Sequence, residues 1–205
     1  AVIFTHKGDS EHLWYCLENA AQNCSSCRLI LLGDEANDKC DPFIEHYLIS
    51  DYSESADNFE LLYRHQSTNP YWYELFCFQR WFIIRDFAKK NGIKKFFCCD
   101  SDILIFDDLS HYVPKQNDFT LAVANKEGPE CSFFTYERLN KFCDYILKQY
   151  SEPDCLKRLL ERYSKFRSQN LPGGNCDMTM FTFYEDDFKK TVLDYGFKDE
   201  KDSLV

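Results

Sequence analysis

Asp100-Ser101-Asp102 closes the apolar run Ile93-Lys94-Lys95-Phe96-Phe97-Cys98-Cys99, and that placement carries the clearest chemistry in the chain. On an extended backbone, residues two apart project to the same side. Both carboxylates would then meet where a buried strand leaves the core. Side by side they repel, and burial opposes their charged forms. A divalent cation removes both penalties, and hard oxygen donors suit Mg²⁺ or Mn²⁺. An ion only partly wrapped by protein completes its shell with substrate phosphates. The motif thus points to a phosphate-bearing donor molecule.

Elements on either side must position this pair. Val2-Ile3-Phe4-Thr5 reads as a buried strand, with His6-Lys7-Gly8-Asp9-Ser10 as its exit loop. Asp9 or Ser10 can cap a helix that runs to about Asn23 on an apolar stripe of Leu13, Trp14, Leu17 and Ala20/Ala21. Arg28 to Leu32 is a second strand, stopped by Gly33-Asp34-Glu35, and Ile44 to Ile49 a third. Phe59 to Tyr63 suggests a helical turn. Trp72 to Asn91 is the strongest helix, with Pro70 at its start, Asn91-Gly92 at its end and apolar residues around most of its girth. The acidic motif follows on the next strand, 93–99, and Ile103-Leu104-Ile105-Phe106 continues apolar. Strands are expected at 119–124 and 131–134, then helices near 136–150 and 153–168, with Pro153 at a helix start. A Leu171-Pro172-Gly173-Gly174 loop leads into a last helix opening at Asn175-Cys176-Asp177. The charged tail after Gly196 is expected to be mobile. Strands alternating with helices argue for a three-layer α/β/α domain around a mostly parallel sheet. Such sheets bind ligands outside the carboxyl ends of their strands. Thr5-His6-Lys7, Gly33-Asp34 and Asp100-Ser101-Asp102 all fall there.

Composition narrows the partners. A length of 205 residues fits one domain, 1–205, and 44% hydrophobic with 17% aromatic content excludes disorder. No apolar run reaches the roughly 18 residues of a membrane span. No signal peptide is visible, and a start at Ala1 rather than Met suits a fragment of a longer protein. A formal charge of −10 disfavours nucleic acid and anionic membranes. Eleven cysteines, an odd number, read as free thiols in a reducing, cytoplasmic compartment. Cys24-Ser25-Ser26-Cys27 has zinc or redox spacing but lacks a second pair nearby.

The stretch Glu74-Leu75-Phe76-Cys77-Phe78-Gln79-Arg80-Trp81-Phe82-Ile83-Ile84-Arg85-Asp86-Phe87, followed by Phe97-Cys98-Cys99-Asp100-Ser101-Asp102-Ile103-Leu104, resembles a GT-A glycosyltransferase with its DxD motif. Pro172-Gly173-Gly174-Asn175-Cys176-Asp177-Met178-Thr179 resembles the later Gly-rich, acidic element of those enzymes. The resemblance spans about 1–185. It implies the GT-A fold, a nucleotide-diphosphate sugar donor (a UDP-sugar first), Mn²⁺ or Mg²⁺, and transfer to a glycan or other hydroxyl acceptor. Carried over by position, Asp100 would sit by ribose or metal, beside Ser101, and Asp102 would be the firmer metal ligand. Thr5, His6 and Lys7 would line the nucleotide pocket, and Asp34 would reach base or ribose. Arg80 or Arg85 would brace the diphosphate or the acidic pair. Asp177 would contact acceptor or sugar, and would be the base in an inverting enzyme. Many relatives add a late His as third metal ligand. The last histidine here is His111, so water or another carboxylate takes that place.

The chemistry is coherent. Breaking a sugar–phosphate bond leaves negative charge on a nucleoside diphosphate, and a cation held by Asp102 would neutralise it as it forms. The acceptor hydroxyl of an inverting enzyme needs a base beside it. Three rival readings stand beside this one. A nucleotidylyltransferase shares fold type and acidic pair, but wants a Gly-rich basic loop where His6-Lys7-Gly8 is short. A catalytically inactive nucleotide-sugar-binding module would bind donor without transfer. A cysteine-based metal or redox protein would hold stoichiometric zinc.

Overall fold

A computed structural model describes residues 1–39, 42–113, 121–125, 128–188 and 192–194. Seven strands form one sheet: β1 (Val2–Thr5), β2 (Leu29–Gly33), β3 (Ile44–Leu48), β4 (Lys95–Cys99), β5 (Leu121–Asn125), β6 (Gly128–Thr135) and β7 (Val192–Asp194). Their order is β3-β2-β1-β4-β6-β5-β7. β1 pairs in parallel with β2 and β4, β2 with β3, and β5 with β7, while β6 runs antiparallel to both β4 and β5. The sheet is thus mixed and mostly parallel.

Alternation along the strands explains the three layers. Val2 and Phe4, Leu29 and Leu31, Phe97 and Cys99 enter one core with Leu13, Leu17 and Ala20 of α1 (Glu11–Asn23). The residues between them, Ile3, Ile30, Leu32, Phe96 and Cys98, enter the other. That second core is closed by α2 (Glu54–Glu60), α3 (Tyr71–Lys90), α4 (Tyr136–Ser151), α5 (Pro153–Ser168) and α6 (Asp177–Asp187). Both faces of the sheet are covered, which is why these strands read as continuous apolar runs.

α3 is the long strut of the buried face. Ten of its twenty residues are buried. Gly92, at φ +64, turns the chain out of it, and Ile93 N–H bonds back to Ala88 O at 2.9 Å. β4 follows at once, so α3 delivers the chain to the strand that ends just before Asp100.

Some expectations shift. The helical turn of 59–63 is instead α2, seven residues beginning at Glu54. Ile103 to Phe106 is irregular chain, and within it Ile105 is buried while Leu104 and Phe106 are exposed. Ser10 stands at the N-cap of α1 but does not cap it. The start of the strand expected at 119–124 and the tail after Gly196 lie outside the described residues. Among those described, no helix is long and apolar enough to cross a membrane.

Candidate active site

The carboxyl ends of β1, β2 and β4 form one polar rim. β4 ends at Cys99, and Asp100 N–H still bonds Glu130 O at 2.7 Å. Ser101 and Asp102 then lie in a turn. The expectation of two carboxylates aligned on extended backbone is therefore corrected: pairing with β6 stops at Asp100, and the chain bends. Asp100 is partly buried and Asp102 is exposed. Asp102 makes no hydrogen bond or ion pair among the described residues.

Arg80, on α3, reaches this turn. Its Nη1 contacts Asp100 Oδ1 at 2.5 Å and its Nη2 contacts Asp177 Oδ2 at 2.7 Å. Asp177 begins α6, is only 4% exposed, and also accepts from Trp81 Nε1 at 3.1 Å and from Met178 N–H at 3.0 Å. An acidic first residue also suits the positive end of the helix. The guanidinium plane lies over the Trp81 ring, 4.7 Å from its centre. Burial opposes the Arg80 charge, but Asp177 and Asp100 outweigh it and lift the group above its usual range. Burial raises the Asp100 carboxyl, and Arg80 pulls it back. The Arg80 Nε–H is buried without a partner.

Asp100 and Asp177 face a cavity of 720 Å³ whose walls include Tyr73, Glu74, Cys77 and the Gly173-Gly174 loop. Glu74 is 1% exposed and accepts from Asn69 Nδ2 at 3.0 Å. Burial first, then Asp177, pushes the Cys77 thiol up to about 12, so it is no nucleophile near neutral pH. The loop is tightly anchored. A Cβ on Gly174 would meet Gln66 O at 2.1 Å, so only glycine fits against that backbone. Asn175, fully buried, bonds Gln66 Oε1 at 2.6 Å and Leu159 O at 2.8 Å. Arg162 holds Gly174 O at 2.9 Å.

The other sequence-chosen residues divide. His6 is brought in: its Nδ1 lies 2.8 Å from Ser101 Oγ and its Nε2 3.1 Å from Ser10 Oγ. This tie also explains why Ser10 is not free to cap α1. Asp34 accepts from Gly8 N–H at 2.8 Å and Ala36 N–H at 3.0 Å, so it shapes the loops above β1 and β2. Lys7 extends over the Phe76 ring, 4.5 Å from its centre. The Thr5 hydroxyl is buried without a partner. Arg85 is not brought to the rim. It pairs with Asp86 at 2.8 Å and lines a separate cavity with Asp51, Tyr52 and Lys90, beside the carboxyl end of α3.

Sequence reading missed Asn37, which knits the rim. It is fully buried; its amide nitrogen donates to His6 O and Gly8 O, and its oxygen accepts from Asp34 N–H. The spacing Asp34-x-x-Asn37 is a reciprocal capping pattern, so a signal was present. Gln66 and Arg162 carried none, because their partners lie far along the chain.

No protein-family model matches the chain, and no curated protein matches it by sequence. Solved structures do match. Mouse xyloside xylosyltransferase 1, in its apo form, superposes with a TM-score of 0.64 at 8% identity, over 94% of this chain and 83% of that one. Galactosyltransferase LgtC, solved with donor and acceptor sugar analogs, gives 0.51 at 12% identity over 94% and 72%. A cytidylyltransferase from Leptospira borgpetersenii aligns at 0.48 and 10% identity, over 99% and 77%, too loosely to carry weight. At such identities the likeness shows architecture. The chain has the mixed α/β fold of GT-A-type glycosyltransferases.

Proposed function

We propose that this chain transfers a sugar from a nucleotide-diphosphate sugar to an acceptor hydroxyl, with Asp102 and Asp100 toward a divalent cation. The observation that carries this reading is the Asp100–Arg80–Asp177 bridge, set on the wall of a 720 Å³ cavity beside the His6–Ser101 rim. Three carboxylates, Asp100, Asp102 and Asp177, stand there with Arg80 bridging two of them, and Arg162 on the same cavity wall is tied to the Gly174 carbonyl. A bare diphosphate would be repelled.

The donor set fits Mg²⁺ or Mn²⁺. Asp102 offers an exposed, uncommitted carboxylate, and Asp100 keeps one oxygen free of Arg80. Among the described residues no group of three or more His, Cys, Asp or Glu could hold a metal. Two hard oxygens suit an ion that takes the rest of its shell from water and phosphate. Once bound, such an ion would neutralise charge developing on the departing diphosphate.

The chain's own residues do the positioning. Arg80 fixes the Asp100 carboxylate, and His6 holds the following turn through Ser101. Asn37 and Asp34 shape the loops that would meet the nucleotide. Asp177 has its oxygens taken by three donors, so in this reading it anchors Arg80 and is not the base. Trp72, 72% exposed next to the cavity residue Tyr73, offers a ring on which a sugar can stack.

The test is a screen of nucleotide sugars for Mn²⁺-dependent thermal stabilisation, followed by transfer to glycan acceptors. A donor at a hundred times its Kd would add about 2.7 kcal/mol. Asp102→Asn should keep its melting point without ligand yet lose both the stabilisation and the transfer. Full retention of both in that variant sinks the metal assignment. Stabilisation without transfer to any acceptor leaves a binding module.

A further inference from the structure

Directly behind the acidic turn, two thiols face each other. Cys99, last residue of β4, is the register partner of Cys131 on β6, and their sulfurs lie 3.4 Å apart. The ladder bond on that side is Asp100 N–H to Glu130 O, one position on. Cys99 and Cys131 are therefore a non-hydrogen-bonded antiparallel pair, the kind whose side chains approach closest, with Cα atoms about 4.5 Å apart. That separation is within the range a disulfide spans. Two residues back on the same face, Phe97 packs edge-on against Phe133 at 5.1 Å and pins the register. Among the described cysteines this is the pair whose sulfurs are in hydrogen-bond contact. Cys98, next in sequence, points into the opposite core. Cys131 is partly exposed and Cys99 is buried, so a solute reaches Cys131 first.

We propose that Cys99 and Cys131 are a reversible redox modification site, oxidised to a cross-strand disulfide by hydrogen peroxide. In the first step the Cys131 sulfur attacks the peroxide, the O–O bond breaks, and a sulfenic acid and one water result. In the second, the Cys99 sulfur attacks the Cys131 sulfur. The S–O bond breaks as the S–S bond forms, and the departing hydroxyl takes the Cys99 proton as a second water. Two thiols are oxidised and one peroxide is reduced to two waters. A dithiol such as dithiothreitol reverses the step by exchange.

The cross-link has a structural consequence. Joining the sulfurs, now 3.4 Å apart, at the bonded length of about 2.0 Å locks both side chains into disulfide geometry directly behind the acidic turn. Asp100 follows Cys99 and Glu130 precedes Cys131, and both line the cavity. Arg80 reaches Asp100 from α3, outside the cross-linked strands. The disulfide therefore constrains the strand end that positions Asp100 and weakens donor binding, a consequence that rests on the transfer reading above.

The experiment treats the reduced chain with graded hydrogen peroxide, alkylates the remaining thiols and maps the peptides. The expected result is a linked peptide pair containing Cys99 and Cys131, short of two hydrogens, appearing before other cysteines change and vanishing with dithiothreitol. Cys131 joined to another cysteine, or both thiols still alkylated while others oxidise, overturns the proposal. Cys131→Ser should form no linked pair; if it folds poorly, Cys99→Ala serves the same purpose. As a second readout, the oxidised chain should show a smaller nucleotide-sugar melting shift than the reduced chain, and the two forms of Cys131→Ser equal shifts. Equal shifts in both redox forms of the unsubstituted chain overturn the coupling. If no nucleotide sugar stabilises even the reduced chain, the transfer reading fails while the mapped cross-link stands.

Discussion

Arg80 and Arg85 sit five residues apart on one helix and meet opposite fates. Five residues turn a side chain through roughly 140° about the helix axis and carry it about 7.5 Å along. Arg80 lands at the carboxyl edge of the sheet, bridging Asp100 and the buried Asp177. Arg85 lands toward the carboxyl end of α3 and is answered by its own neighbour, Asp86. The first joins three elements: the turn after β4, α3 and α6. Among the described residues the second is paired only within its helix, with Cys143 and Asp144 of α4 near enough to feel its charge. The same side chain is thus a structural hub in one place and a local ion pair in the other, and position relative to the strand ends decides which.

Arg80→Ala gives the largest expected effect. It leaves Asp177 buried with only neutral donors and Asp100 without its cation. Breaking a buried pair by removing one partner costs about 3–5 kcal/mol. Denaturant unfolding should show a loss of that order, together with loss of any donor-induced stabilisation. A loss no larger than that of Arg85→Ala would break the contrast.

The pH dependence sharpens it next, because His6 belongs to the Arg80 side through Ser101. Burial of the ring, then the neighbouring His12, hold His6 below its usual value, while Asp34, Asp102 and Asp9 pull the other way. The folded state therefore takes up this proton later than the unfolded chain does. The stability tied to the neutral ring is complete above the ordinary imidazole value near 6.5. It is lost as pH falls below that value, with a slope of at most about 1.4 kcal/mol per pH unit. His6→Gln should flatten that part of the stability profile. An unchanged slope in the variant would assign it to another group.

The framework was legible because its signals are local. β1, β2 and β4 are apolar runs ended by polar residues, and α3 is bracketed by Pro70 and Asn91-Gly92. Where reading failed, the deciding contact was distant or the period broke. Alternation predicted aligned Asp100 and Asp102 carboxylates, but it holds only while the strand lasts, and β4 ends at Cys99. Asn175 is fixed by Gln66, 109 positions away, which no local pattern reveals. The choice between Arg80 and Arg85 was likewise hidden. α3 buries residues around most of its circumference, so its apolar pattern has no phase to say which arginine faces the acidic turn.

Arg85→Ala is the smallest and most discriminating change. Asp86 is 23% exposed in its side chain and can rehydrate when the guanidinium leaves. The expected loss is on the order of 1 kcal/mol, the upper range for a solvent-reachable pair. Stabilisation by a nucleotide sugar should match the unsubstituted chain, since Arg85 lines a different cavity from Asp100. A variant that folds normally yet loses donor stabilisation would move the ligand site to the Arg85 end of α3. In that event Arg80, for all its buried bonds, would be holding the fold together and not the substrate.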